Sequence, residues 1–349
     1  MKTFREFFGL SMIVTVVCLV IAAWDGYARG GHTLSALGNA LAIALLLGVL
    51  EVSLSFDNAV VNASVLRNMS VVWQQRFLTW GMLIAVFGMR FIFPIVIVAL
   101  SSGMGFMETV REAFGNPETY AHHLEQAHVT ISAFGGTFLM MVFLKYFMNP
   151  KKEEHWLTHL EGTLARIGKL DTIQAVFVSA LLLFLVHNFV APAERLSALT
   201  AGFIGLLVYL GMDAIGSLFE ADDLTAKAGA AGFSSFMYLQ VLDASFSLDG
   251  VIGAFALSKD IVLIAAGLTI GAMFVRSLTI MMVRKGTLEM YRFLEHGAHY
   301  GIGALAVIML LSMNRNVHIP EIITGLIGAG FIALSVWASL RANKRDALH

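Results

Sequence analysis

Glu51, Ser55, Asp57 and Asn58 stand in one apolar stretch, and Asp243, Ser247, Asp249 and Gly250 stand in another with the same acid-x-Ser-x-Ser-x-Asp spacing. The offset between the two stretches is constant at 192 residues, which makes them an internal repeat. A charged group at membrane depth costs roughly 2.5 kcal/mol or more, so four carboxylates at matched positions read as a site. Carboxylates, Ser hydroxyls and an Asn amide are hard oxygen donors, and neither motif contains Cys, His or Met. That set suits Mn²⁺, Ca²⁺ or Mg²⁺ and not Zn²⁺ or Cu⁺, which prefer imidazole or sulfur.

On a helix, Glu51, Ser55 and Asn58 share one stripe, and so do Asp243, Ser247 and Gly250. Asp57 and Asp249 fall outside it, each about 120° from the first acid of its motif. Both carboxylates of a motif reach one centre only if the helix is broken or unwound near Ser55 to Asn58 and Ser247 to Gly250, which would also free backbone carbonyls as ligands. Gly250 suits such a break, and Asn58 does so less well. Gly81 precedes Arg90 by nine residues and Gly267 precedes Arg276 by nine, so the repeat extends to the following span. Arg90 and Arg276 are expected to offset the excess negative charge of the acids, to release the ion by swinging toward them, or to snorkel toward an interface.

The elements that must position these residues are transmembrane helices. Of the residues, 58% are hydrophobic and 13% charged, and mean hydropathy is +0.77; a soluble domain carries about 25% charged residues. The fold expected is an all-α polytopic bundle of about ten spans, over 8–24, 34–53, 78–100, 130–148, 172–189, 196–212, 236–257, 261–283, 297–313 and 319–340. The first span, preceded by Lys2 and Arg5, has the look of a signal peptide in isolation but is kept as a helix. Counting Lys and Arg in alternating loops, an inward N-terminus leaves fifteen inside against five outside, namely Arg29, Arg111, Arg195, Lys259 and Arg315. Both termini are therefore expected in the cytoplasm. An odd number of spans per half makes residues 1–190 and 191–349 two inverted repeats whose motifs meet near the midplane. Cys18 is alone, so an intrachain disulfide is excluded.

Glu51-Val-Ser-Leu-Ser-Phe-Asp-Asn58 and Leu242-Asp-Ala-Ser-Phe-Ser-Leu-Asp-Gly250 resemble the signatures of the TerC superfamily of polytopic membrane proteins, in its long branch. Glu51, Asp57, Asn58, Asp243 and Asp249 fall on the family's acidic and amide positions. Gly250 stands where many relatives have Ser, which removes one oxygen ligand. The resemblance implies Mn²⁺ export across a bacterial inner membrane, and the family name derives from tellurite resistance.

The function expected is therefore a divalent cation transporter, Mn²⁺ before Ca²⁺, working by alternating access, with the cation as substrate and no prosthetic group. A scaffold or metal-delivery protein in a tellurite or stress-resistance complex is the alternative. An intramembrane aspartyl protease also uses two aspartates on different helices, but no Gly-x-Gly-Asp stands around Asp57 or Asp249, so no enzyme activity is expected. Helix fastening by buried polar bonds is the bland reading of both motifs. The net charge of −1 points to no particular partner. Metal ions and the lipid bilayer are the partners expected; nucleic acid is not, and self-association is left open.

Outside the motifs, His122, His123 and His128 with Glu118 and Glu125 are read as a solvated loop before a metal-collecting one. His155 and His159, at zinc-binding spacing beside Glu161, are read as part of an amphipathic interfacial helix. Glu220, Asp222 and Asp223 are read as a solvated acidic run, and His187 with Asn188 as structural groups rather than pathway residues.

Overall fold

The computed structural model describes residues 2–81, 83–150, 152, 154–168, 172–218, 224–317 and 319–346, with side chains except at 2–4, 91, 101, 216–218, 224–231, 248, 249, 252, 256, 321 and 322. Among the described residues there is no strand. Helix α1 (Lys2–Arg29) leads to α2 (Leu34–Leu54), which breaks at Ser55 and continues as α3 (Phe56–Leu66). Next come α4 (Val71–Arg76), two π-helical segments (Phe77–Gly81 and Ile84–Ile92) and α5 (Phe93–Ser102). Two short helices, α6 (Phe106–Gly115) and α7 (Pro117–Gln126), precede α8 (His128–Phe147), α9 (Thr158–Ile167), α10 (Ile173–Phe189) and α11 (Arg195–Leu218). The last third is α12 (Leu224–Leu257), α13 (Ile261–Lys285), the single turn α14 (Thr287–Met290), α15 (Leu294–Ser312) and α16 (Glu321–Asp346).

Among the described residues seven helices are long and apolar enough to cross a membrane, and the bent run Val71–Gly81 with Ile84–Leu100, taken as one span, makes an eighth. The chain is a multi-pass membrane protein. The two remaining expected spans fall on α10, an apolar helix 17 residues long, and on α12, which is 34 residues long. Helices α8, α13 and α15 are largely buried inside the bundle, whereas α1, α2, α11 and α16 expose apolar side chains such as Val16, Leu46, Leu207 and Leu334. In water such a surface is a liability, and in lipid it is the solvated face.

Ion pairs sort the helix ends into two faces. Arg29 pairs with Asp260, and Arg315 Nε donates to Glu194 at 3.1 Å, on one face. Arg67 with Glu295, Arg284 with Glu6, Lys145 with Asp213 and Arg292 with Asp346 mark the other. Each pair joins ends that a strict up-and-down course places together.

Close approach of α13 to α2 depends on glycine. A Cβ at Gly267 would lie 2.4 Å from Leu47 Cβ, and one at Gly271 would lie 2.4 Å from Glu51 Cβ and 2.9 Å from the Gly48 carbonyl. Small residues let transmembrane backbones approach in this way. Gly81 plays the reciprocal part, with a Cβ there meeting Gln240 of α12 at 2.9 Å. Gly271→Val is expected to cost about 3 kcal/mol, because the obstructing Gly48 oxygen is backbone and cannot turn aside. Thermal unfolding of the detergent-solubilised protein checks this; an unchanged midpoint would refute it.

Candidate functional site

The first motif is built across a helix break. Ser55 (φ −103°, ψ 15°) is the one non-helical residue between α2 and α3. The Asn58 amide N donates to Asp57 Oδ1 at 2.9 Å, so the carboxylate caps the first turn of α3. Such a position is favourable for a negative charge because free N–H groups and the positive end of the helix dipole converge there. The break expected at this motif is present, yet it does not bring Asp57 to Glu51. Asp57 Oδ2 faces α15 and α16, where Cβ atoms at Gly301 and Gly328 would lie 3.1 and 3.3 Å away.

The corresponding break in the second motif is absent. Helix α12 runs unbroken through Ser247 and Gly250, so Gly250 is a contact glycine and not a hinge. A Cβ there would sit 3.1 Å from Glu51 Oε2. The side chain of Asp249 lies outside the described residues.

What the fold does unite is Asp243 with α3. Asn58 Nδ2 and Asn62 Nδ2 donate to Asp243 Oδ1 at 2.6 and 3.0 Å, across 185 and 181 residues of chain. Asn62 is a site residue that the motif comparison overlooks. It stands one turn beyond Asn58 and 11 residues beyond Glu51, about 20° from it around the helix, so extending the stripe one turn would have found it. A cavity of about 30 Å³ opens here, lined by Ser55, Asn58, Asn62, Asp243, Ser247 and both arginines, among others. It has room for an ion or one to two waters.

The two arginines behave differently. Arg90 Nη2 donates to Glu51 Oε1, which also accepts from Ser55 Oγ at 3.0 Å, while Arg90 Nη1 donates to the Ala85 carbonyl at 2.8 Å. Arg276 instead donates twice to the Leu78 carbonyl, at 2.8 and 3.2 Å, within the π-helical segment Phe77–Gly81. A π-register leaves carbonyls poorly paired, and in lipid each must find a donor inside the protein. Arg276 is therefore a backbone brace on the wall of the cavity.

Several polar atoms around the cavity are buried and unpartnered among the described residues: Asn58 Oδ1, Asn62 Oδ1, Ser247 Oγ and Arg90 Nε. Buried polar atoms are normally satisfied, so a cluster of unsatisfied oxygens beside a carboxylate marks a place built for something else. No three His, Cys, Asp or Glu side chains converge to hold a metal among the described residues. A cation here would rest on one carboxylate, amide and hydroxyl oxygens, and a second carboxylate held off by Arg90.

The other histidine groups resolve differently. The expected loop at 118–128 is helical: α7 buries Tyr120 and Leu124, and His123 lies 3.7 Å from Glu112. His155 precedes α9 and shares no helix face with His159; it lies 3.6 Å from Glu161. Glu161 itself is fully buried, where the interfacial reading expected exposure. His187 and Asn188 are exposed at the end of α10, and Asn188 donates to the Phe184 carbonyl. Glu220, Asp222 and Asp223 lie outside the described residues.

A family model described as "Protein of unknown function (DUF475)" matches residues 56–346. No curated protein and no solved structure matches.

Proposed function

The chain belongs to the DUF475 family, and we propose that it is a divalent cation transporter that exports Mn²⁺ across a bacterial inner membrane, with both termini in the cytoplasm. The observation that carries this reading is the cavity inside an apolar bundle where Asp243 stands among the free oxygens of Asn58, Asn62 and Ser247. An all-oxygen donor set of low charge suits Mn²⁺ or Ca²⁺ held weakly enough to leave again. Resemblance of both motifs to TerC proteins supplies the preference for Mn²⁺ and the outward direction.

Alternating access is the mechanism proposed, since broken helices at a buried site are the usual transporter device. The break at Ser55 is where α2 and α3 can change their mutual angle. A protease is a poorer reading. Its two aspartates must share a proton at contact distance, whereas Asp57 faces Gly301 and Gly328 and Asp243 faces Asn58 and Asn62.

The test is cellular Mn content and Mn²⁺ tolerance in a host lacking its own exporter, with and without this chain. Expression is expected to lower Mn and restore growth. If neither changes, the Mn²⁺ reading fails; Ca²⁺ flux in proteoliposomes then decides between a Ca²⁺ transporter and a scaffold.

A further inference from the structure

Gln240 is buried on α12 at 2% exposure, and neither end of its amide has a partner among the described residues. An amide brings two donors and two lone pairs, so four bonding positions go unused inside an apolar bundle. Turning the amide over exchanges oxygen for nitrogen and satisfies nothing, because both atoms are orphaned. Nor does Gln240 fasten one helix to another, since a fastener makes a bond. Buried polar atoms are normally paired, so this amide is kept for a partner from outside the chain.

Its place in the fold says which partner. Asp243 follows Gln240 by three residues on α12 and Ser247 follows Asp243 by four, so the three share one helix face. Opposite them α3 runs the other way and sets Asn58 and Asn62 on Asp243 Oδ1. Toward the face marked by Arg67 and Glu295 the polar side chains therefore come in the order Ser247, Asp243 with Asn58, Asn62, and Gln240. The column covers about 10 Å of α12, at 1.5 Å per residue.

The Gln240 amide rests on Gly81, where a Cβ would lie 2.9 Å from Nε2. Phe77 and Ala85, four residues to either side of Gly81, both line the cavity that holds Asp243. Past Gln240, Leu66, Met69, Trp73, Phe77, Phe236 and Leu239 form one apolar cluster. Gln240 thus stands at the edge between the polar cavity and an apolar seal.

We propose that Gln240 is a further cation-contacting residue of the Asp243 site, offering its side-chain oxygen on the flank toward Arg67 and Glu295. A divalent cation drawn in from that face meets this oxygen before the carboxylate. The amide oxygen is a hard donor of the kind that Asn58 and Asn62 supply, and being uncharged it holds the ion loosely enough to pass it on. The inference deepens the transporter reading and rests on it for the ion.

Mn²⁺ binding to the purified protein in detergent tests this, with free Mn²⁺ measured by its electron paramagnetic resonance signal. Gln240→Leu keeps the approximate volume and removes both polar atoms. It is expected to weaken Mn²⁺ binding about tenfold, the lower end of the loss for a group supporting a metal site. Its unfolding midpoint is expected to stay level or rise, because Leu suits Phe77, Phe236 and Gly81 better than an orphaned amide does. A packing role predicts the reverse, a lowered midpoint with Mn²⁺ binding unchanged. Wild-type affinity in Gln240→Leu overturns the inference.

Gln240→Glu carries the test where Gln240→Leu does not accumulate. It sets a charged oxygen at the same point and is expected to tighten Mn²⁺ binding at least about tenfold, since ligand charge count tunes affinity at oxygen sites. Equal or weaker binding overturns the inference. If both variants shift as expected but proteoliposomes show no Mn²⁺ flux, the transporter reading falls and the Gln240 contact stands. Flux with wild-type binding in both variants removes Gln240 alone.

Discussion

Asp243→Asn is expected to abolish Mn²⁺ movement in proteoliposomes, weakening apparent affinity at least about a hundredfold, since even residues that merely support a metal ligand cost 10–100-fold when changed. The substitution is nearly isosteric, and its Oδ1 still accepts from Asn58 and Asn62, which now donate to Asp243 at 2.6 and 3.0 Å. Only the charge is lost. Insertion, accumulation and the size-exclusion profile are therefore expected to match the wild type, and transport at wild-type rates would remove Asp243 from the pathway. Asn62→Leu is expected to fall between, by about tenfold, because it removes one free oxygen and one donor but no charge. Asp57→Asn supplies the contrast. Its carboxylate faces Gly301 and Gly328, away from the cavity, so Mn²⁺ affinity is expected to be unchanged in whatever protein folds.

Glu161→Ala is expected to cost about 3–5 kcal/mol of stability, the usual penalty for breaking a buried ion pair and stranding its partner. Glu161 is fully buried and accepts from Lys152 Nζ at 3.2 Å, Tyr300 OH at 3.0 Å and the backbone amides of Trp156 and Leu157 at 3.2 and 3.1 Å. His296 Nε2 lies 3.4 Å away and donates to the Glu154 carbonyl at 3.0 Å. These contacts pin segment 154–161 onto α15.

Burial pushes the Glu161 carboxyl up, but His296, the Leu157 amide and the Lys152 charge outweigh it and hold it at about 2, below the ordinary 4.5. A carboxyl depressed in the folded state stabilises at pH above its unfolded value and loses that contribution as pH falls through the folded one. The wild-type unfolding midpoint in detergent is therefore expected to drop as pH falls from 4.5 toward 2. Glu161→Gln is expected to lack that component. Identical acid profiles for the two proteins would show that the carboxylate contributes nothing.

Much of the architecture was legible in the residues. Spans such as 130–148 and 261–283 coincide closely with α8 and α13, because an apolar run of membrane length has no other way to satisfy its backbone in lipid. The stripe of Glu51, Ser55 and Asn58 was legible for a similar reason: helical periodicity is local, and any set at i, i+4 and i+7 shares a face. So was a break near Ser55. The second break was not, since Gly250 in an apolar helix serves equally as a hinge or as the contact that admits Glu51, and only the neighbour decides.

What the amino-acid sequence determined by itself was the class, the spans and which polar residues share a helix face. Tertiary structure alone decided which faces meet: that Asp243 turns to Asn58 and Asn62, that Arg90 takes Glu51 while Arg276 takes a carbonyl, that Asp57 looks away, and that Glu161 is buried. The physical reason is that a helix face is set by covalent periodicity, whereas the rotation of one helix against another is set by summed contacts between residues far apart in the chain.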